Sequence, residues 1–160
     1  MVEIKDNYST MSEPLIKQIH QEYGNRIRVR ACGVLIHQNK LLMLKHTGIG
    51  QLGFYWNVPG GEPLEGESLK EAVKREFLEE THLEIEVDEM IAFREFIEEP
   101  LHAIEYYFIV TNPKGFGKLG TDPENVHILT EMAWFTSAEF NDLPAKAKPY
   151  FLTDRIKIDR

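Results

Sequence analysis

The chain has 160 residues, 42% of them hydrophobic and 28% charged, with a mean hydropathy of −0.33, which fits one globular domain and excludes a disordered or membrane-embedded chain. No apolar run approaches the roughly 20 residues of a membrane span, residues 1–7 lack a signal-like apolar stretch, and the lone Cys32 excludes an internal disulfide, so a cytoplasmic protein without a membrane partner is expected. Eighteen basic against 26 acidic residues leave a net charge of −8 with no Lys/Arg run, which argues against a nucleic-acid partner.

The first 11 residues read as a lead, followed by Ser12 as an N-cap, Pro14 in the first turn and Gly24 as a stop. Between them the spacing predicts a short helix over 13–23 with Leu15, Ile16 and Ile19 on its buried face. Residues 26–37 and 40–46 read as two strands joined by a Gln38-Asn39 hairpin turn. The stretch 47–66, rich in glycine and proline, reads as a long loop, and long loops in compact domains are usually functional. A helix is predicted over 68–82, where Ser68 and Glu71 form a capping-box pattern. Strands are expected over 84–98, 102–111 and 127–136, with Pro100 between the first two and a Gly/Pro/Asn-rich stretch at 112–125. Ser137 caps a short helix through Phe140, and a last helix is expected over 149–158. The order is mixed α/β (α+β), with a mixed sheet and helices packed on it.

The helix at 68–82 carries the most chemistry. Advancing about 100° per residue, Leu69, Ala72, Val73 and Phe77 form an apolar stripe. Glu76 and Glu80 fall inside that stripe and Glu79 at its edge, whereas Lys70, Glu71 and Lys74 fall outside it. Carboxylates on a core-facing side are costly unless paired or metal-bound. The i, i+3 and i, i+4 spacing brings all three within reach of one point, where a hard divalent cation with oxygen ligands would offset their repulsion. A charge-rich solvated helix is the alternative reading of the same run.

Gly61, Glu67, Arg75, Glu76, Phe77, Glu79, Glu80 and Leu83 also fit a long spaced pattern, G-x5-E-x7-R-E-U-x-E-E-x-G-U, with U a bulky apolar residue. This is the Nudix box, and the chain resembles a Nudix hydrolase. The box spans the 23 residues 61–83 and matches at eight of its nine specified positions. His82 stands where the family has glycine, at the end of the helix. A residue other than glycine in a left-handed C-cap costs roughly 1 kcal/mol, so the departure touches stability rather than chemistry.

The resemblance implies a Nudix-like mixed sheet sandwiched between helices, with residues 27–160 as the hydrolase domain and 1–26 as an N-terminal extension. It implies Mg2+- or Mn2+-dependent hydrolysis of a diphosphate linkage in a small-molecule nucleoside diphosphate derivative. Glu76, Glu79 and Glu80 would be metal ligands with the carbonyl of Gly60 or Gly61, and Arg75 would orient Glu67 or Glu79. The general base would be a box glutamate, Glu76 or Glu80, or one of Glu98, Glu99, Glu124 and Glu131. Tyr55, beside Phe54 and Trp56, is a candidate for stacking on a base. Arg28, Arg30, Lys45, His46 and Arg94 are candidates for phosphate or ribose, though each alone also suits a solvated surface. Pro100 falls close to, but not at, the place where the ADP-ribose-type branch carries a proline. A nucleotide sugar or ADP-ribose-like substrate is therefore favoured over a nucleoside triphosphate, and over a non-catalytic nucleotide sensor. The extra N-terminal helix offers a surface for a second copy, so a homodimer is one expected assembly.

Overall fold

The computed structural model describes residues 13–121 and 128–159. Three α-helices and seven strands follow in the order α1 (Glu13–Tyr23), β1 (Ile27–His37), β2 (Lys40–Thr47), β3 (Phe54–Asn57), β4 (Gly60–Gly61), α2 (Leu69–Thr81), β5 (Glu84–Glu98), β6 (Leu101–Lys114), β7 (Leu129–Phe135) and α3 (Ser137–Asp142). The proposed N-cap Ser12 lies outside the described residues. No helix among them is long and apolar enough to cross a membrane.

The strands form one mixed sheet in the order β3-β2-β1-β6-β5, with β4 added on β1 and β7 on β2. β1 and β6 run parallel from Ile27↔His102 to Leu35↔Val110, and the remaining pairs are antiparallel. Gln38 and Asn39 both take positive φ, as the tight β1–β2 turn requires. A cis Glu99-Pro100 bond lies in the β5–β6 turn.

Alternation along β1 divides the core. Ala31 and Leu35 face α2, whose Ala72, Val73 and Phe77 fill the first cluster. Gly33 lies on that face because a Cβ there would collide with the Phe77 ring. Cys32 and Val34 face the opposite side, packed with Tyr107, Phe140, Leu152 and Ile158 under α3 and the C-terminal turns. A third cluster joins Ile19 and Tyr23 of α1 to Ile49, Tyr55 and Ile128. Of the expected buried face of α1, Ile19 is buried in this cluster, Leu15 packs at its margin and Ile16 is only half-buried, while Tyr23 joins Ile19 as the second buried residue.

Three expectations need correction. The stretch 47–66 is not wholly loop: residues 54–57 pair with β2, and Gly60-Gly61 pairs with Ala31 and Cys32. Paired glycines read as breakers in sequence, yet here a Cβ on Gly60 would strike the β1 backbone, so glycine permits the pairing. The expected helix at 149–158 is only a 3-10 turn, Tyr150–Asp154. The N-cap of α3 is Thr136, not Ser137; its hydroxyl accepts from Glu139 N at 3.3 Å.

Both ends of α2 are closed as the sequence suggested or better. Ser68 and Glu71 form the reciprocal capping box, and His82 takes φ 57°, ψ 21° while its N–H bonds to Leu78 O. The loop after β6 returns to the helix end, where Gly120 N donates to Glu80 O at 2.7 Å and Lys118 N to Thr81 O at 3.0 Å. Those bonds satisfy C-terminal carbonyls that the helix itself cannot. His82→Gly is expected to leave Tm unchanged or raise it by a few degrees, as the left-handed cost is relieved against extra chain entropy. Clear destabilisation in a thermal melt would contradict this.

Candidate active site

The wheel reading of α2 holds in three dimensions. Glu76 and Glu80 are buried at 7% and 6% exposure beside Ala72, Val73 and Phe77, Glu79 lies at the rim, and Lys70, Glu71 and Lys74 are exposed. Both buried carboxylates line a cleft of about 260 Å³ with Gly60, Gly61, Arg30 and Arg75. Gly61 is needed there: a Cβ would occupy the space of the Glu76 carboxylate. Glu80 Oε2 accepts from Gly60 N–H at 3.0 Å, which ties α2 to β4.

Arg75 organises the acidic face. Its Nε and Nη2 donate to the two oxygens of Glu67 at 2.9 Å each, and its Nη1 donates to Glu76 at 2.7 Å and Glu79 at 3.0 Å. Nη2 also donates to the Glu62 carbonyl. This planar fork with several acceptors is a geometry lysine cannot supply. Hydrogen bonding to Glu67 and then to Glu76 raises the Arg75 pKa despite partial burial. Burial pushes the Glu76 carboxyl upward against the pull of Arg75, so this carboxylate is held at a cost that a cation would relieve.

The second half of the site is a cross-strand row that the sequence did not reveal. Arg30, Glu105 and Arg94 are register partners on β1, β6 and β5 and share one face. Glu105 is 1% exposed. It accepts from Arg30 Nη1 at 2.7 Å, Arg94 Nε at 2.8 Å, Tyr107 Oη at 2.6 Å and Asn57 Nδ2 at 3.3 Å. Burial drives its pKa up, but Arg30, Arg94 and the Tyr107 hydroxyl outweigh it and the net shift is downward. Arg30 Nη2 donates to Gly60 O at 2.9 Å, which links the buried row to the carboxylates of α2.

Of the other candidate residues, Tyr55 lines the cleft and its hydroxyl accepts from Arg94 Nη2 at 2.8 Å. Arg94 itself is enclosed by Glu105, Tyr55 and the rings of Phe96 and Phe151. Lys45 lies outside the cleft lining, 3.7 Å from Glu131 and over the rings of Phe54 and Trp56. Trp56 packs on Phe135 in the core. Glu124 lies outside the described residues. Glu98 has one buried oxygen, Oε1, without a hydrogen-bond partner among the described residues. Glu105 and Tyr23 line the cleft but were not among the candidate residues of the sequence reading. The only signal for Glu105 was a lone charge inside an apolar strand.

Across the cleft, His46 is 9% exposed and burial, then Arg30, pushes its pKa down to about 4, with hydrogen bonding to the Tyr55 and Leu44 backbones and the Glu105 charge opposing. The imidazole is therefore neutral in the folded state at pH 7. An unfolded histidine titrates near 6.5, so between these values the unfolded chain binds the extra proton and stability falls as pH falls. The contribution is complete above about pH 6.5 and amounts to roughly 3 kcal/mol lost by pH 4. Denaturant titrations of wild type and His46→Leu should differ by that acid component; parallel curves would contradict it.

Three arginines and four glutamates line the cleft, a formal charge of −1 before any ligand enters. Among the described residues no three acidic, imidazole or thiol side chains converge at metal-binding spacing, since Arg75 stands between Glu76 and Glu79. The donor chemistry nevertheless suits a divalent cation: buried carboxylate oxygens, one of them raised by desolvation, beside a backbone carbonyl.

The Nudix domain family model matches residues 26–154, and the chain belongs to the Nudix family of pyrophosphohydrolase-type hydrolases. A MutT Nudix hydrolase from Burkholderia pseudomallei shares 19% identity at a TM-score of 0.64, covering 82% of this chain and 99% of its own. A Nudix hydrolase from Nitrosomonas europaea shares 20% at 0.66, covering 83% and 88%. The Nudix domain of Shewanella oneidensis NrtR, in a cocrystal with ADP ribose, shares 18% at 0.62, covering 91% and 96%. These likenesses show the fold. A comparison with curated protein sequences found no match.

Proposed function

We propose that the protein is a magnesium- or manganese-dependent pyrophosphohydrolase that splits the diphosphate linkage of a nucleoside diphosphate derivative of the nucleotide-sugar or ADP-ribose type. The observation that carries this reading is the pair Glu76 and Glu80, buried in a cleft against Gly60-Gly61 with Arg75 as their clamp. The Nudix domain crystallised with ADP ribose adds a relative of the same fold with that class of ligand.

Glu76, Glu80 and the Gly60 carbonyl, with Glu79 beside them, would hold the cation. Bound there, the cation would neutralise phosphate oxygens and so lower the barrier to attack on an anionic diphosphate. Arg75 keeps the glutamates in place through Glu67 and Glu79. Arg30 spends one Nη on Glu105 and the other on Gly60 O, and its remaining N–H groups can donate to a phosphate. A box glutamate, Glu76 or Glu80, would accept the proton from the attacking water. Water adds to one phosphorus, the bridging oxygen leaves on the other, and two phosphomonoesters result.

The test is product release from ADP-ribose, nucleotide sugars, dinucleoside polyphosphates, NADH, coenzyme A and nucleoside triphosphates, with magnesium or with EDTA. Magnesium-dependent cleavage confined to the first two classes is expected. Cleavage of triphosphates alone would replace the substrate assignment, and no cleavage of any would overturn the hydrolase reading.

A further inference from the structure

The face of the sheet that α2 covers at Ala31 and Leu35 runs on uncovered past the helix. Strand register sets its residues side by side: Ile27 and Ile97 flank His102, Val29 and Glu95 flank Ile104, and Phe93 lies beside Tyr106. Ile27, Val29, Phe93 and Ile97 are between 40% and 68% exposed. Large apolar side chains carry about 150–250 Å² each, so these four leave roughly 450 Å² of apolar surface in water. Monomeric proteins rarely keep a contiguous apolar patch of several hundred Å² without a use for it.

The patch is complementary to itself. At one end is a shallow hollow of about 420 Å³, whose lining includes Ile27, Ile97, Pro100 and His102. At the other end the Phe93 ring projects, resting on Tyr106 at 6.2 Å between ring centroids. Phe93 and Ile97 lie about 13 Å apart along β5. A two-fold axis lying in the face between them, across the strands, seats each copy's Phe93 in the other copy's hollow, so one contact is made twice. Glu95, between ridge and hollow, is hydrogen-bonded to His102 at 2.7 Å, so closing the face leaves no carboxylate there without a partner. With their rims, two such faces bury roughly 1,000 Å², which reaches the threshold of a specific interface. α1 suits a second copy less, since its Ile19 and Tyr23 pack inside their own chain.

We propose that this open face of β1, β6 and β5 is a homodimer interface, with Phe93 of each copy seated in the Ile27/Ile97 hollow of the other. The occupant is a second copy because both halves of the contact lie on the same face. Arg94 and Glu105 of the buried row alternate with Phe93 and Ile104 on the same strands, so the pairing braces the back of the cleft. The proposal is independent of the hydrolase reading, since Ile27, Phe93 and Ile97 lie outside the cleft lining.

Sedimentation equilibrium of the full chain, from about 1 to about 100 μM, tests it. Wild type should reach twice the chain mass of 18.6 kDa within that range. Phe93→Glu and, from the other strand, Ile27→Arg should each weaken the dimer about 100-fold or more while keeping the wild-type circular dichroism spectrum. A second arm needs no buried charge. On mild oxidation Phe93→Cys/Ile97→Cys should cross-link between chains, because within a chain the two sites exceed the roughly 7 Å limit of a disulfide, and Phe93→Cys alone should not. Cys32 is buried and takes no part. A wild-type monomer at every concentration, or a dimer that persists unchanged in both charged variants, would overturn the proposal. Cross-linking of Phe93→Cys alone as fast as the double variant would overturn the seating of Phe93 in the hollow.

Discussion

Glu80→Gln is expected to lower magnesium-dependent turnover by about 10³-fold while the protein stays folded. The amide oxygen can still accept from Gly60 N–H, the 3.0 Å bond that ties α2 to β4, and side-chain volume is unchanged. What disappears is a negative charge at 6% exposure in a cleft whose other charges are already committed to one another. Losing it removes a hard ligand at the point where charge builds in the reaction. Turnover near the wild-type value, with an unchanged melt, would remove Glu80 from the site.

Glu105→Ala is expected to cost about 3–5 kcal/mol of stability, a fall in Tm of roughly 10 °C for a chain of this size. The carboxylate is the shared acceptor of Arg30, Arg94, Tyr107 and Asn57, and alanine would leave two guanidinium groups facing each other across a buried sheet face. Glu105→Gln keeps an acceptor but not the charge and should lie between wild type and alanine. Activity should fall in both, because Arg30 would lose the anchor from which it reaches Gly60 O. A loss under 1 kcal/mol for the alanine variant, measured by denaturant titration, would show that the row is not a stabilising unit.

The contrast between these two glutamates explains how much was legible in the sequence. Glu80 announces itself locally: its place on an apolar stripe follows from helical periodicity, and the box spacing adds a second, independent pattern. The capping box at Ser68 and the left-handed end at His82 are equally local, and both stand in the structure. Glu105 carries no such signature, because its partners Arg30 and Arg94 lie 75 and 11 residues away and meet it only through strand register. The strands in 47–66 were hidden because Gly60-Gly61 pairs by virtue of having no side chain, a feature that sequence patterns read as a break. Tyr23 was placed on α1, but its position in the cleft wall depends on where the helix packs, and no periodicity within α1 encodes that. Local chemistry was therefore readable, and chemistry assembled across strands was not.

The central claim is that the buried carboxylates of α2 form a divalent-cation site serving an anionic substrate. The most direct measurement is the electron paramagnetic resonance signal of free Mn2+ titrated with protein, with and without ADP-ribose, for wild type and a Glu76→Gln/Glu80→Gln variant. The account predicts that wild type depletes the free signal, more strongly with ligand present, and that the double variant does not, though both melt as folded proteins. Equal depletion by the two proteins, or none by either under any condition, would contradict it.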